Sequence, residues 1–235
     1  IIIAIVLIIV IFGVAFGGKI MDKYSYTKER ADLSSYYQIS GDTDVAIILQ
    51  NEMIEERARL LDGTYYVDLA TTHKYFNERF YEDQGEGLLL YTLPEDIVRS
   101  VIGTSEVTTA DGTTDLGYQA ARYEGDTLYI ALDFLKQYTN FSYEAFAEPN
   151  RIQIYTSWDE RQVATIKKNT AVRLRGGVKS EILTDVQEGD KVIVLEQMEN
   201  WSKVKTSDAF IGYVENKRLK DISPELPIPV TDYEE

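Results

Sequence analysis

The chain has 235 residues, with 39 acidic against 24 basic side chains and a formal net charge of −15; 44% of residues are hydrophobic, 17 are Tyr and 8 are Phe. With no Cys and a single His, a disulfide framework, a thiolate metal site and a His-rich metal centre are all excluded, and no metal or other cofactor is expected. The acidic balance argues against phosphate-backbone binding by the whole chain, so nucleic acid is not an expected partner.

Residues 1–18 (IIIAIVLIIVIFGVAFGG) carry no charge and no polar side chain. At about 1.5 Å per residue they make a helix of about 27 Å, close to the roughly 30 Å of a bilayer's hydrocarbon core. The run predicts a transmembrane anchor, with a cleaved signal and a soluble core helix as competing readings. A soluble helix keeps a polar face, and a signal core is shorter, roughly 7–15 residues. Ala15-Phe16-Gly17 is also a weak cleavage site. Lys19 and Lys23 follow closely, alongside Asp22, and so weak a basic flank favours a single-pass protein of the cell membrane with its globular part extracellular. Residues 19–44 are polar and Tyr-rich, a juxtamembrane tether that fits a short helix or an extended segment.

From Val45 a pattern repeats. Gly63-Thr-Tyr-Tyr-Val-Asp-Leu69 resembles Asp126-Thr-Leu-Tyr-Ile-Ala-Leu132 at a shift of 63 residues, and each follows a Gly-containing turn signal. An amphipathic stretch comes next in both copies, Leu69–Asn77 and Leu132–Asn140, with Leu132, Leu135 and Tyr138 at helical spacing. Two short strands around a turn complete each copy: Arg79–Asp83 and Leu88–Tyr91, then Phe141–Ala145 and Ile152–Tyr155. The shift reaches 64 at Tyr91 and Tyr155, which predicts a one-residue length change in the hairpin turn. Leu49–Leu61 fits a strand or a helix, and the strand is preferred. One such unit of about 50 residues buries too little apolar surface alone, so both copies are expected in one α+β domain over 45–157.

His73 has Lys136 as its counterpart in the second copy, which points to a helix flank. Carboxylate pairs such as Asp42/Asp44, Glu55/Glu56 and Asp83/Glu86 show no convergence of the kind acid–base catalysis needs. Phosphate-loop, G-x-S-x-G and H-E-x-x-H motifs are absent. No catalytic residue is assigned, and whether the chain belongs to an enzyme stays open at this point. The strands D-G-x-Y-Y-V-x-L and G-D-T-L-Y-I-A-L, each before a helix and a hairpin, resemble the copper amine oxidase N-terminal-like domain, a repeat module of exported Firmicutes proteins. The resemblance implies neither copper nor catalysis here.

After a charged linker at 157–162 the local balance reverses, with 11 basic and 8 acidic side chains in 163–220. Alternation at Val192/Val194 and Trp201/Val204, with turns at Gly189-Asp190 and Glu199-Asn200, predicts five short strands in a small closed β-barrel. The stretches AVRLR, EGDKVIVLE, NWSKVKT and GYV resemble the bacterial SH3-like (SH3b) family across this whole segment. That resemblance implies a module that binds cell-wall peptidoglycan or another envelope polymer, or serves as a spacer. Arg173, Arg175 and Lys179 around the first loop and Tyr213 near the last strand are the candidate contacts; Trp201, Val204 and Tyr213 also fit the barrel core. Residues 221–235, with Pro at 224, 227 and 229 and no basic side chain, read as an extended linker. Anchor, repeat domain, SH3b and linker resemble the front end of membrane-bound family 18 glycoside hydrolases, although the D-x-x-D-x-D-x-E signature is absent. The expected role is therefore a non-catalytic, extracellular stalk and wall-binding region, with the non-catalytic part of such a hydrolase as the alternative.

Overall fold

The structure, a computed structural model, describes residues 25–229, so the expected anchor at 1–18 lies outside the described residues; among them no helix is long and apolar enough to cross a membrane. The described chain divides into two compact units. One comprises residues 33–160 with 226–229, and the other comprises 161–225 together with the segment that ends at Asp32.

The first unit opens with the short helix α1 (Leu33–Tyr37) and continues through β1 (Asp44–Leu49), β2 (Glu52–Leu61), β3 (Thr64–Asp68), α2 (Leu69–Tyr75), β4 (Phe80–Asp83) and β5 (Leu88–Thr92). Then follow β6 (Ile97–Val101), β7 (Glu106–Thr109), β8 (Gly112–Asp115), β9 (Ala121–Glu124), β10 (Thr127–Ala131), α3 (Leu132–Leu135), β11 (Ser142–Phe146) and β12 (Arg151–Tyr155). One sheet has the order β11-β12-β1-β2-β3-β10-β9, and the other runs β4-β5-β6-β7-β8. The only parallel pair among the described strands is β1 with β12. β1 (DVAIIL) is buried along nearly its whole length, as expected of a strand covered on both faces, where alternation is lost. The two copies meet at β3 and β10, where Val67 lies opposite Ile130. Around them pack Phe80, Tyr91, Phe134 and Tyr138, with ring centroids 4.7 to 6.2 Å apart.

Strand, helix and hairpin recur in both copies in the expected order, and 52–61 is a strand. The α+β expectation, however, is corrected to a mostly β unit whose helices have 5, 7 and 4 residues. Residues 97–124, which carry no clear periodicity, supply four further strands. The two helices of the repeats also differ. Asp68 caps α2 by accepting from the Thr71 amide at 2.7 Å, whereas its counterpart Ala131 has no side-chain cap to offer α3. Nor does the hairpin grow by one residue. Phe80 pairs with Tyr91 and Ser142 with Tyr155, so the second hairpin gains a full rung of two residues.

The second unit contains β13 (Arg161–Ile166), β14 (Thr170–Arg173), β15 (Ile182–Val186), β16 (Lys191–Gln197), β17 (Trp201–Lys205), β18 (Ile211–Glu215) and β19 (Leu219–Glu225). These form one antiparallel sheet in the order β15-β14-β18-β17-β16-β13-β19. Ala164, Ile166, Val172, Val186, Val192, Val204, Val214 and Leu219 make its core. Five strands in a closed barrel were expected; seven form, with β15 and β19 as its two edges. The extra pairing comes from the module's ends, because β19 continues past Lys220 and sets Val163 opposite Ser223 and Arg161 opposite Glu225. The Pro-rich stretch thus begins as a strand, and Pro224 is accommodated on an edge, where a missing N–H is tolerated.

Candidate functional site

Strands β14 and β18 touch through a single pair, Arg173 opposite Tyr213. Gly212 makes this approach feasible: a Cβ there would lie 2.6 Å from the Arg173 carbonyl oxygen and 2.7 Å from Val172 Cγ1. Tyr213 lies opposite Lys203 on β17, and Glu215 lies opposite Trp201. Because side chains alternate across a strand, Arg173, Tyr213, Lys203, Glu215 and Trp201 share one face, while Val204 and Val214 face the core. Trp201 and Tyr213 are half-buried outside that core. Trp201 lies over the loop after β14, where a Cβ on Gly176 would be 3.2 Å from Trp201 Cγ.

That loop carries the other two predicted contacts and is closed on itself by Ser180. The Ser180 hydroxyl accepts from the Arg175 amide at 2.8 Å, and its carbonyl accepts from the Arg173 guanidinium at 2.6 Å. Arg175 and Lys179 are exposed. Arg173 is not: it is 5% exposed, and desolvation holds its pKa below the ordinary arginine value. All four predicted residues therefore fall in one region, but only Arg175 and Lys179 are openly accessible.

Covering Arg173 is a strip of the chain that the sequence pattern left as tether. Residues 25–31 lie in extended form along the loop and the start of β15. The Thr27 amide donates to Val178 O at 2.9 Å, the Ile182 amide to Glu29 O at 2.8 Å, and the Ala31 amide to Ile182 O at 2.9 Å. Arg30 bridges Ile182 in parallel register, and its side chain pairs with Asp185. Arg173 donates to Thr27 O at 3.2 Å and sits 5.6 Å from the centre of the Tyr26 ring. The Tyr26 hydroxyl donates to Glu215 at 2.9 Å and accepts from Lys217 at 3.0 Å, and Lys179 donates to Ser25 Oγ at 3.1 Å. Tyr26 and Glu215 together hold the Lys217 ammonium above its ordinary value. Tyr26, Glu215 and Lys217 escaped the sequence reading because nothing local marks them, and a strip held by backbone hydrogen bonds leaves no side-chain signature.

Elsewhere the acidic pairs are engaged structurally. The carboxyl of Asp44 is destabilised by burial, but Ser40's hydrogen bonds and the charges of Arg59 and Arg57 more than reverse this and hold its pKa below the ordinary range. Glu56 accepts from Lys74 and Tyr75, and Asp83 caps its own turn. His73, half-buried on α2, makes a 2.7 Å contact with the Phe80 carbonyl. Among the described residues, no three His, Cys, Asp or Glu side chains are placed to share a metal ion.

Residues 161–220 match the family model of the bacterial SH3 domain. No curated protein and no solved structure is matched by the chain.

Proposed function

We propose that this chain is a non-catalytic, membrane-anchored envelope protein whose bacterial SH3 module holds a cell-wall polymer, peptidoglycan in particular. Its repeat unit, which resembles the copper amine oxidase N-terminal-like domain, would act as a stalk, so that a partner or a C-terminal domain is positioned at the envelope. The observation that carries this reading is the bacterial SH3 match over residues that also set Arg173 beside Tyr213, with Arg175 and Lys179 on the adjoining loop. Guanidinium, ammonium and phenol groups on one surface suit a polymer bearing carboxylates and amides. The apolar run at 1–18 supplies the anchor. Tethering raises the local concentration of whatever the module holds, without any new contact.

The test is retention of the detergent-solubilised full chain on purified peptidoglycan. The parent is expected to bind and to elute with rising salt, since exposed cations dominate the accessible face. Arg175→Glu and Tyr213→Ala are each expected to lower affinity by about tenfold. Retention no better than that of a blank resin overturns the reading. A second reading makes the chain the front part of a family 18-like glycoside hydrolase, and the Pro-rich run after β19 favours it. The reading frame beyond Glu235 tests that idea: a D-x-x-D-x-D-x-E signature supports it and a stop codon ends it.

A further inference from the structure

The strip over Arg173 is held in an unusual way for part of a fold. Of its three backbone hydrogen bonds, one goes to Val178 in the loop and two to Ile182 at the start of β15, where they close a single parallel bridge, a short form of the β-augmentation by which sheet edges take up extended peptides. Yet it buries almost nothing apolar. Ser25, Tyr26, Lys28, Glu29 and Arg30 are all exposed, and only Thr27 and Ala31 are half-buried. Tyr26 keeps 46% of its surface in water. The Arg30–Asp185 pair is similarly wet, with side chains 61% and 48% exposed, and exposed ion pairs contribute little. A segment held by a few backbone bonds and surface pairs opens at a small fraction of a domain's stability. Beneath it lies a buried guanidinium that would be free to meet a ligand only when the strip lifts.

We propose that residues 25–31 are a releasable plug: a pseudo-ligand in cis that occupies the edge of β15 and covers Arg173, so that an extended peptide of the wall polymer must displace it to bind. This rests on the wall-binding reading above and adds its regulation. A peptide is the class of occupant favoured because the loop offers the Val178 carbonyl and the start of β15 offers both the amide and the carbonyl of Ile182, and the plug itself uses all three. If the plug is shut nine-tenths of the time, the apparent affinity is reduced about tenfold relative to the open face.

The experiment uses the full chain in detergent with two independent variants and two readouts. Tyr26→Ala with Arg30→Ala loosens the plug and leaves Arg173, Arg175, Lys179 and Tyr213 themselves unsubstituted, removing only the Tyr26 ring that lies 5.6 Å from the Arg173 guanidinium. The amides of Thr27, Ala31 and Ile182 are expected to exchange with solvent about tenfold faster than in the parent, those of β16 and β17 to be unchanged, and peptidoglycan affinity to rise by about the same factor. In a chain with no cysteine of its own, Arg30→Cys with Ile182→Cys ties the plug shut. The oxidised form is expected to lose retention and the same sample to regain it on reduction, which controls for folding. Plug amides as protected as those of β16 and β17 in the parent overturn the proposal. So does unchanged retention when the plug is loosened or locked, with wall binding then standing on its own. Failure of every form to bind peptidoglycan removes the wall-binding reading and the gating together.

Discussion

Two residues of the second unit show how little latitude the candidate face has. Gly212 stands where any side chain meets backbone: a Cβ would lie 2.6 Å from Arg173 O and 2.8 Å from Leu183 Cδ1. Neither strand can retreat without breaking the Arg173–Tyr213 pair, so Gly212→Ala is expected to cost about 1–3 kcal/mol by overpacking. Gly177→Ala, with nothing within 4 Å of its would-be Cβ, is expected to stay within about 0.5 kcal/mol of the parent. Urea unfolding followed by Trp201 fluorescence, in a Trp158→Phe background, separates the two. Lys205 is the second case, 1% exposed at the end of β17. Desolvation, reinforced by the nearby charge of Arg161, lowers its pKa from 10.5 to about 7. Below pH 7 both folded and unfolded chains hold its proton and the cost of burying the charge is fully present. Between pH 7 and 10 the unfolded chain holds a proton that the folded chain has released, so this residue makes stability rise with pH across that window. From pH 7 to pH 9 the gain is expected to be about 1–2 kcal/mol in the parent. Lys205→Met is expected to remove that slope, and an equal slope in parent and variant would show that Lys205 is not its source.

At the scale of elements, what the sequence reveals depends on which atoms do the holding. Strand, helix and hairpin were legible in both repeats because matching positions carry the same or similar apolar residues, and all of them are at least partly buried: Tyr66 and Val67 on β3 match Tyr129 and Ile130 on β10, and Leu69 matches Leu132 at the start of each helix. The hairpin β7–β8 gave no such signal, since every residue of β8 (GTTD) is exposed and a strand without a buried face has no alternation to read. Helix length was overestimated for a related reason. Leu132 and Leu135 are both buried on α3, but the helix ends before Tyr138 and lacks the side-chain cap that Asp68 gives α2. β19 was hidden by Pro224 and the two prolines beyond it, which read as a linker although an edge strand accepts the one it contains. Of the candidate face, Arg175 and Lys179 were legible as exposed basic loop residues. Arg173 and Tyr213, forty positions apart, were candidates through family resemblance, and their adjacency is visible only in the fold. The strip at 25–31 was invisible because its partners are carbonyls and amides, which every sequence has.

For the whole molecule, in the membrane-anchored reading proposed above, the strip changes which part of the protein would be tied to the anchor. A chain read in order places the repeat unit next to the membrane and the SH3 module beyond it. Residues 25–31, however, are fixed to the SH3 unit, and only six residues separate Ser25 from the apolar run ending at Gly18. Fully extended, that stretch spans about 25 Å. If residues 1–18 are a retained anchor, the module with its plug shut is therefore confined to the membrane surface, and lifting the plug lets it move outward on a longer tether. Plug release would then couple two events, exposure of Arg173 and extension of the module towards the wall. In nanodiscs carrying a headgroup-linked acceptor, energy transfer from Trp201 in the Trp158→Phe background is expected to be efficient for the parent. It is expected to fall when Tyr26→Ala and Arg30→Ala loosen the plug, and to stay high in the oxidised Arg30→Cys, Ile182→Cys pair. Equal transfer in loosened and locked forms would mean that the plug does not set the module's height, whatever it does to the affinity. Low transfer in every form would mean that the apolar run does not hold the chain at a bilayer. Loss of transfer on loosening, regained in the oxidised pair, would tie the position of the module to the same seven residues that cover Arg173.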